Sequence, residues 1–335
     1  MKRIVCVFLL LALLTGAYSI PIWGMEETGS VPPTIVTTAP TAPLPVSKGP
    51  TLQQPVSQIP AWQYLDLSFV EARQFFVYDT RTEDYWVLST APDTAIYPAS
   101  TTKLYTTYVA LQYLTTDYMI TVGAEVNQVA WDASKIGFQK GDRVRVEALV
   151  YAALLPSACD ASYILAAAAG KVILKDNAAT SKQALQAFMD ECNRRAKELG
   201  MENCRLITPD GYHHADHRLS LQAMTVIGSL CLEDPTISAV VSSPTATITY
   251  RTSDGRTNIR ELKNTNLTIR SDGKYYHPQS VGLKTGSTDE AGYCLLTAYE
   301  IEGGHILVGV FGCKDKNDRF QFANELFEAF LPFLS

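Results

Sequence analysis

Three short stretches hold the residues best suited to chemistry: Ser100-Thr101-Thr102-Lys103, Ser157-Ala158-Cys159 and Lys284-Thr285-Gly286. A serine followed three residues later by a lysine is a compact way to make a hydroxyl nucleophilic without histidine. On a helix, positions i and i+3 share a face, so the lysine amine reaches the serine oxygen. The hydroxyl is a weak nucleophile until a base removes its proton. One Ser-x-x-Lys pair arises by chance in most long chains, whereas three elements in a fixed order are informative. A competing cluster is His213-His214-Ala215-Asp216-His217, which contains three of the five histidines. Histidines spaced i, i+4 on a helix can bind zinc. This segment follows the turn sequence Pro209-Asp210-Gly211 and lacks a His-Glu-x-x-His pattern. It reads as a polar loop with one helix-capping histidine, and neither a metal nor any other cofactor is expected.

The flanks extend each motif: Tyr97-Pro98-Ala99 precedes Ser100, Leu155-Pro156 precedes Ser157, and Gly282-Leu283 precedes Lys284, with Ala291-Gly292-Tyr293-Cys294 beyond. In this form the region from about residue 60 onward resembles the D-alanyl-D-alanine carboxypeptidases, the low-molecular-mass penicillin-binding proteins. The resemblance implies an α+β, β-lactamase/transpeptidase-like fold, with an antiparallel sheet packed against a helical cluster and the site in the groove between them. It implies a peptidoglycan stem peptide ending in D-Ala-D-Ala as substrate, and acylation by β-lactam antibiotics. Ser100 is then the nucleophile and Lys103 its base. Burial and Lys284, a second cation, are expected to lower the pKa of Lys103. Ser157 would relay a proton toward the leaving group. The backbone N–H groups of Ser100 and Ser287 would hold the oxyanion. Gly286 would let substrate backbone approach its strand, and Thr285 and Arg319 would bind the terminal carboxylate. The alternative for Arg319 is a surface residue capping the last helix.

One position departs from the pattern. The middle motif normally ends in asparagine, and here Cys159 occupies that substrate-binding place. A thiol is a weak donor and a weak acceptor. The nucleophile, base, relay serine and Lys-Thr-Gly are nevertheless intact, so the chain is expected to remain catalytic. Cys159 as nucleophile would lack a paired histidine. Two other readings stay open. One is a catalytically weak penicillin- or wall-binding module. The other is a β-lactamase-like hydrolase, which the middle motif disfavours; Glu261-Leu262-Lys263-Asn264 resembles a β-lactamase glutamate element but lies too close to Lys284.

The chain has 335 residues, 47% hydrophobic, with a formal net charge of −6. That suffices for one large domain or two small ones, and the mild acidity argues against a nucleic-acid partner. Lys2 and Arg3 precede an apolar run over residues 4–14, and Ala17-Tyr18-Ser19 offers a cleavage site. Residues 1–19 therefore read as a signal peptide. The alternative is an uncleaved anchor to about residue 24, which would tether the protein to a membrane. Residues 25–60, rich in proline and threonine, read as a disordered linker. Residues 61–335 read as the catalytic domain, extracytoplasmic and either secreted or held at the outer face of the cell membrane.

The pattern predicts strands over 69–79 and 85–90. Helices are expected over 100–114, 144–155, 162–169, 179–199 and 219–232, with the Ser157 motif in a short connection. A strand over 281–283 leads into Lys284. A hairpin over 293–299 and 306–311 is expected to turn at Gly303-Gly304, and a helix over 319–331 closes the chain. With that turn, Cys294 and Cys313 would sit opposite each other, either as a disulfide or as neighbouring free thiols.

Overall fold

A computed structural model of the protein describes residues 71–87 and 95–333. The expected leader, the linker, residues 61–70 and the far end of the second expected strand lie outside the described residues.

Period-2 patterning builds the main sheet. Strands β1 (Gln74–Asp79), β2 (Tyr85–Val87), β7 (Ser280–Thr288), β8 (Gly292–Ile301) and β9 (Gly304–Cys313) form an antiparallel sheet in the order β2-β1-β9-β8-β7. Val77, Leu295, Tyr299, Val308 and Val310 point to one face and pack with Phe320, Leu326, Phe327 and Phe330 of the closing helix α7 (Asp318–Phe330). Their neighbours Phe76, Leu296, Ala298, Leu307 and Phe311 point to the other face, into the helical cluster. Alternate residues of each strand thus fill two separate cores, as the pleat requires.

The helical cluster comprises α1 (Thr102–Leu111), α2 (Val146–Leu154), α3 (Cys159–Leu174), α4 (Ser181–Glu198), α5 (Leu221–Glu233) and α6 (Pro235–Val241). Helix α1 is buried from Thr102 to Ala110, as its apolar composition suggests. Thr180 and Gln183 close a capping box that starts α4. The α+β class and the segregation of sheet and helices agree with the sequence reading.

The boundaries differ in instructive places. Ser100 lies in a 3-10 turn, Ala99–Thr101, ahead of α1 rather than inside the helix. The segment expected to be helical from 144 instead opens with β4 (Arg143–Arg145), where Val144 alternates with two arginines. The helix after Ser157 starts at Cys159, three residues earlier than expected. A second sheet, which the sequence pattern does not reveal, joins β4 to β3 (Met119–Thr121), β5 (Thr245–Arg251) and β6 (Thr257–Lys263), in the order β3-β4-β5-β6. In β6 only Leu262 is buried, so the strand lacks the alternation that would reveal it.

The β8–β9 turn is Glu302-Gly303, because Ile301 pairs with Gly304. Gly303 takes φ +82°, which a two-residue hairpin turn favours. An irregularity between Tyr293 and Leu295 then sets Tyr293, not Cys294, opposite Cys313. Cys294 belongs to the helical core and Cys313 to the α7 core, on opposite faces of the sheet, and both thiols are free.

Candidate active site

The three motifs converge where α1, the α2–α3 connection and β7 meet. Lys103, on the first turn of α1, is fully buried. Its Nζ lies 2.8 Å from Ser100 Oγ, 2.8 Å from the Asp210 carbonyl oxygen and 3.4 Å from Cys159 Sγ. The i, i+3 geometry expected of the serine and lysine is therefore present, although a 3-10 turn supplies the serine.

Cys159 begins α3, and its backbone N–H donates to the Ser134 carbonyl at 2.8 Å. Asp160 accepts the backbone N–H groups of Ile136, Gly137 and Phe138, which clamps the 134–138 loop onto the motif. Ser157 is partly exposed with φ +66°. Among the described residues no partner holds its hydroxyl, which leaves it available to a ligand. Burial pushes the Cys159 thiol up to about 11, opposed by nearby Lys103 and reinforced by Asp210. The thiol is thus protonated near neutral pH and ill suited as the nucleophile.

Lys284 is fully buried, and its Nζ donates to the Thr285 carbonyl at 3.1 Å. Burial, and then the charges of Lys103 and Arg319, drive its pKa well below the usual lysine range. Thr285 Oγ1 is 2.7 Å from Thr265 Oγ1, and the Thr265 backbone and hydroxyl both donate to the Leu155 carbonyl. Thr265 therefore ties β7 to the end of α2, just before Ser157, and nothing in its local sequence marks that role.

A methyl group at Gly286 would lie 2.9 Å from both the Pro98 oxygen and the Ser100 nitrogen. The glycine is thus needed for the Ala99–Thr101 turn to pack on β7, beyond any approach of substrate. Ser287 is exposed on this strand, which forms one edge of its sheet. Arg319 is no surface cap. Its Nη1 donates to the carbonyls of Gly286 at 3.0 Å and Cys294 at 3.3 Å, and its guanidinium lies over Phe320. Burial lowers its pKa, and among the described residues its buried Nε has no partner. Arg319 brings positive charge to the site, and the Lys103 and Lys284 amines add donors, a setting suited to a carboxylate. Ala99, Ser157 and Leu283, one per motif, hold positive φ values, a strain that spacing alone does not reveal.

The histidine segment contributes differently from its sequence reading. His217 is buried rather than capping a helix. Its Nδ1 accepts the N–H groups of Ile207 and Thr208, so Nε2 donates to Thr102 Oγ1 at 3.1 Å. His213 packs against Tyr97 with the two rings tilted, 5.0 Å between centroids, and lies 3.4 Å from Glu290. Among the described residues no group of three His, Cys, Asp or Glu could hold a metal ion. Burial lowers the His217 pKa to about 4 from an ordinary 6.5. Between those values the unfolded chain binds a proton that the folded chain excludes. Stability present above pH 6.5 is therefore lost as pH falls toward 4, by up to about 3 kcal/mol. Denaturant titrations at pH 7 and pH 4.5 should show this loss, and His217→Gln should shrink it.

The comparisons with known proteins converge on one family. The family model for D-alanyl-D-alanine carboxypeptidases matches residues 65–315. This chain belongs to the D-alanyl-D-alanine carboxypeptidase family. It is 31% identical over 227 residues to a D-alanyl-D-alanine carboxypeptidase of Streptomyces sp. strain K15, covering 65% of this chain and 73% of that protein. It is 26% identical over 276 residues to the Escherichia coli carboxypeptidase DacC, covering 79% of this chain and 62% of that one. The crystal structure of the Streptomyces K15 DD-transpeptidase superposes with a TM-score of 0.69 at 27% identity, covering 78% of this chain and 98% of that one. Solved variants of that enzyme replace a serine and, two positions on, a cysteine. That enzyme therefore holds a serine and a cysteine separated by one residue, the spacing of Ser157 and Cys159 here. Members of the family are serine hydrolases that act on D-Ala-D-Ala peptides of peptidoglycan, outside the cytoplasm, and bind β-lactams.

Proposed function

We propose that the chain removes the terminal D-Ala from peptidoglycan stem peptides through an acyl-enzyme on Ser100. The observation that carries this reading is the 2.8 Å contact between Lys103 Nζ and a partly exposed Ser100 Oγ. Ser100 Oγ attacks the carbonyl of the penultimate D-Ala while its proton passes to Lys103. The N–H groups of Ser100 and Ser287 stabilise the oxyanion; losing one such donor costs about 3–4 kcal/mol in comparable enzymes. Ser157 relays that proton from Lys103 to the departing D-Ala amine, its own hydroxyl restored in the exchange, and water then cleaves the ester. Lys284, Thr285 and Arg319 receive the terminal carboxylate, in keeping with the positive charge gathered there. Cys159 lines the substrate side of Lys103. β-Lactams acylate the same serine. Residues 1–60 are read as a leader or anchor and a stalk, which would place the protein outside the cytoplasm, secreted or membrane-held.

The test is D-Ala release from a peptide ending in Lys-D-Ala-D-Ala, with Ser100→Ala as control. Release that disappears in the variant supports the reading. No release from either protein, with the wild type still acylated by penicillin, would instead favour a binding or sensing module. Rapid penicillin turnover would favour a β-lactamase. A second reading is transfer of the acyl group to an amine, favoured by the Ser-x-Cys spacing and the DD-transpeptidase neighbour. Adding glycine as acceptor distinguishes it: a new peptide product at the expense of hydrolysis marks transfer.

A further inference from the structure

The Asp210 carboxylate has no task in the reaction above, yet it is only 1% exposed beside the reacting groups. Its Oδ1 accepts the Tyr212 N–H at 3.0 Å, while Oδ2 is buried and, among the described residues, has no well-formed hydrogen bond. A buried, unpartnered acceptor is costly and calls for an explanation. Lys103, Cys159, Tyr163 and His217 all feel its charge or contact it. Lys103 is held by the Asp210 carbonyl rather than by the carboxylate. The His217 proton is committed to Thr102. Burial and Asp210 both raise the pKa of Tyr163, and no hydrogen bond joins the two. The Cys159 S–H makes a long contact, 3.8 Å, to the Ser157 carbonyl, and the Asp210 side chain lies within reach of the same thiol.

We propose that the Asp210 carboxylate accepts the Cys159 S–H and so turns the sulfur lone pairs toward Lys103. This rests on the reading of Lys103 as the base for Ser100. A neutral amine has two N–H groups and one lone pair. In this arrangement the Asp210 carbonyl and the Cys159 sulfur are both acceptors and take the two N–H groups. The lone pair is left facing the Ser100 hydroxyl, 2.8 Å away. With the S–H turned toward Lys103, the lone pair would engage sulfur and Ser100 would lose its base. An asparagine carries its donor and acceptor on separate atoms, so packing can fix both. A thiol carries both on one atom and needs an outside group to orient it. Asp210 is thus a positioning residue for a Ser-x-Cys site.

The test uses the full chain and two readouts. The first is the infrared S–H stretch of Cys159, isolated as a difference spectrum against Cys159→Ala. The second is the rate of Ser100 acylation by a fluorescent penicillin. In the wild type the band should fall below the frequency of a free thiol, and Asp210→Asn should move it back. Asp210→Asn should slow acylation about tenfold or more, yet less than about threefold in the Cys159→Asn background, because the coupled pair is already gone. A wild-type band at the free-thiol frequency overturns the proposal without any Asp210 variant. So does a band that moves in Tyr163→Phe and not in Asp210→Asn, or an equal acylation loss in both backgrounds. The infrared arm does not depend on Lys103 acting as base. Normal acylation of Ser100→Ala would remove the reading beneath the proposal and leave the thiol geometry separately tested.

Discussion

In Ser100→Ala, D-Ala release and penicillin labelling fall together, by at least about 10^4-fold, while stability changes by no more than about 0.5 kcal/mol. The two halves of this expectation have different causes. Activity falls because both reactions pass through the same ester, and no neighbouring group can replace the hydroxyl. Burial holds the Cys159 thiol in its protonated form, and Ser157 has no base against its hydroxyl. Stability holds because Ser100 is only partly buried and its Oγ is one of three partners of Lys103. The Asp210 carbonyl and the Cys159 sulfur still hold the amine after the change. Intact-mass measurement after penicillin treatment, paired with a thermal melt, checks both halves. An adduct that persists on the variant, mapped to Ser157 or Cys159, would place the nucleophile elsewhere.

Local chemistry made the centre of the site legible in the sequence. The i, i+3 relation of Ser100 and Lys103 depends on a single helical turn, and it survives a shift from α-helix to 3-10 geometry. The antiparallel β8–β9 hairpin was visible because its two faces are written as alternating residues. Local pattern fails where turn residues compete, where a strand is exposed, or where a contact spans a long stretch of sequence. Two adjacent glycines compete for the hairpin turn, which falls one residue earlier than Gly303-Gly304, and that slip changes which residue faces Cys313. Sheet β3-β4-β5-β6 was hidden because β6 is almost wholly exposed. Asp210 and Thr265 went unmarked because each acts through a contact with a residue more than 50 positions away, Asp210 on Cys159 and Thr265 on Leu155. Arg319 was placed on the carboxylate side by resemblance, but its bracing of the Gly286 and Cys294 carbonyls appears only in three dimensions.

Those distant contacts explain why Gly211→Ala should be among the most damaging single-methyl changes in the domain. Gly211 follows the carbonyl that holds Lys103 and takes φ +77°, a conformation that strains any L side chain. A methyl group there would sit 1.9 Å from the Ala99 oxygen and 2.6 Å from the Ala99 carbonyl carbon. These are main-chain atoms of the residue before the nucleophile, so no side-chain rotation relieves the overlap. The 209–211 loop, whose Asp210 carbonyl holds Lys103, and the Ala99–Thr101 turn, which carries Ser100, must separate by about 1 Å. Backbone strain and overpacking together should cost about 2–4 kcal/mol. Displacement of the nucleophile by that distance should slow penicillin acylation about 10^2-fold. Gly255→Ala separates the two effects: Gly255 also has positive φ, but nothing lies within 4 Å of the added methyl. That control should lose about 1 kcal/mol and acylate at the wild-type rate. Equal acylation rates in both variants would mean that the loop does not hold the turn, and that β7, through Gly286, positions Ser100 alone.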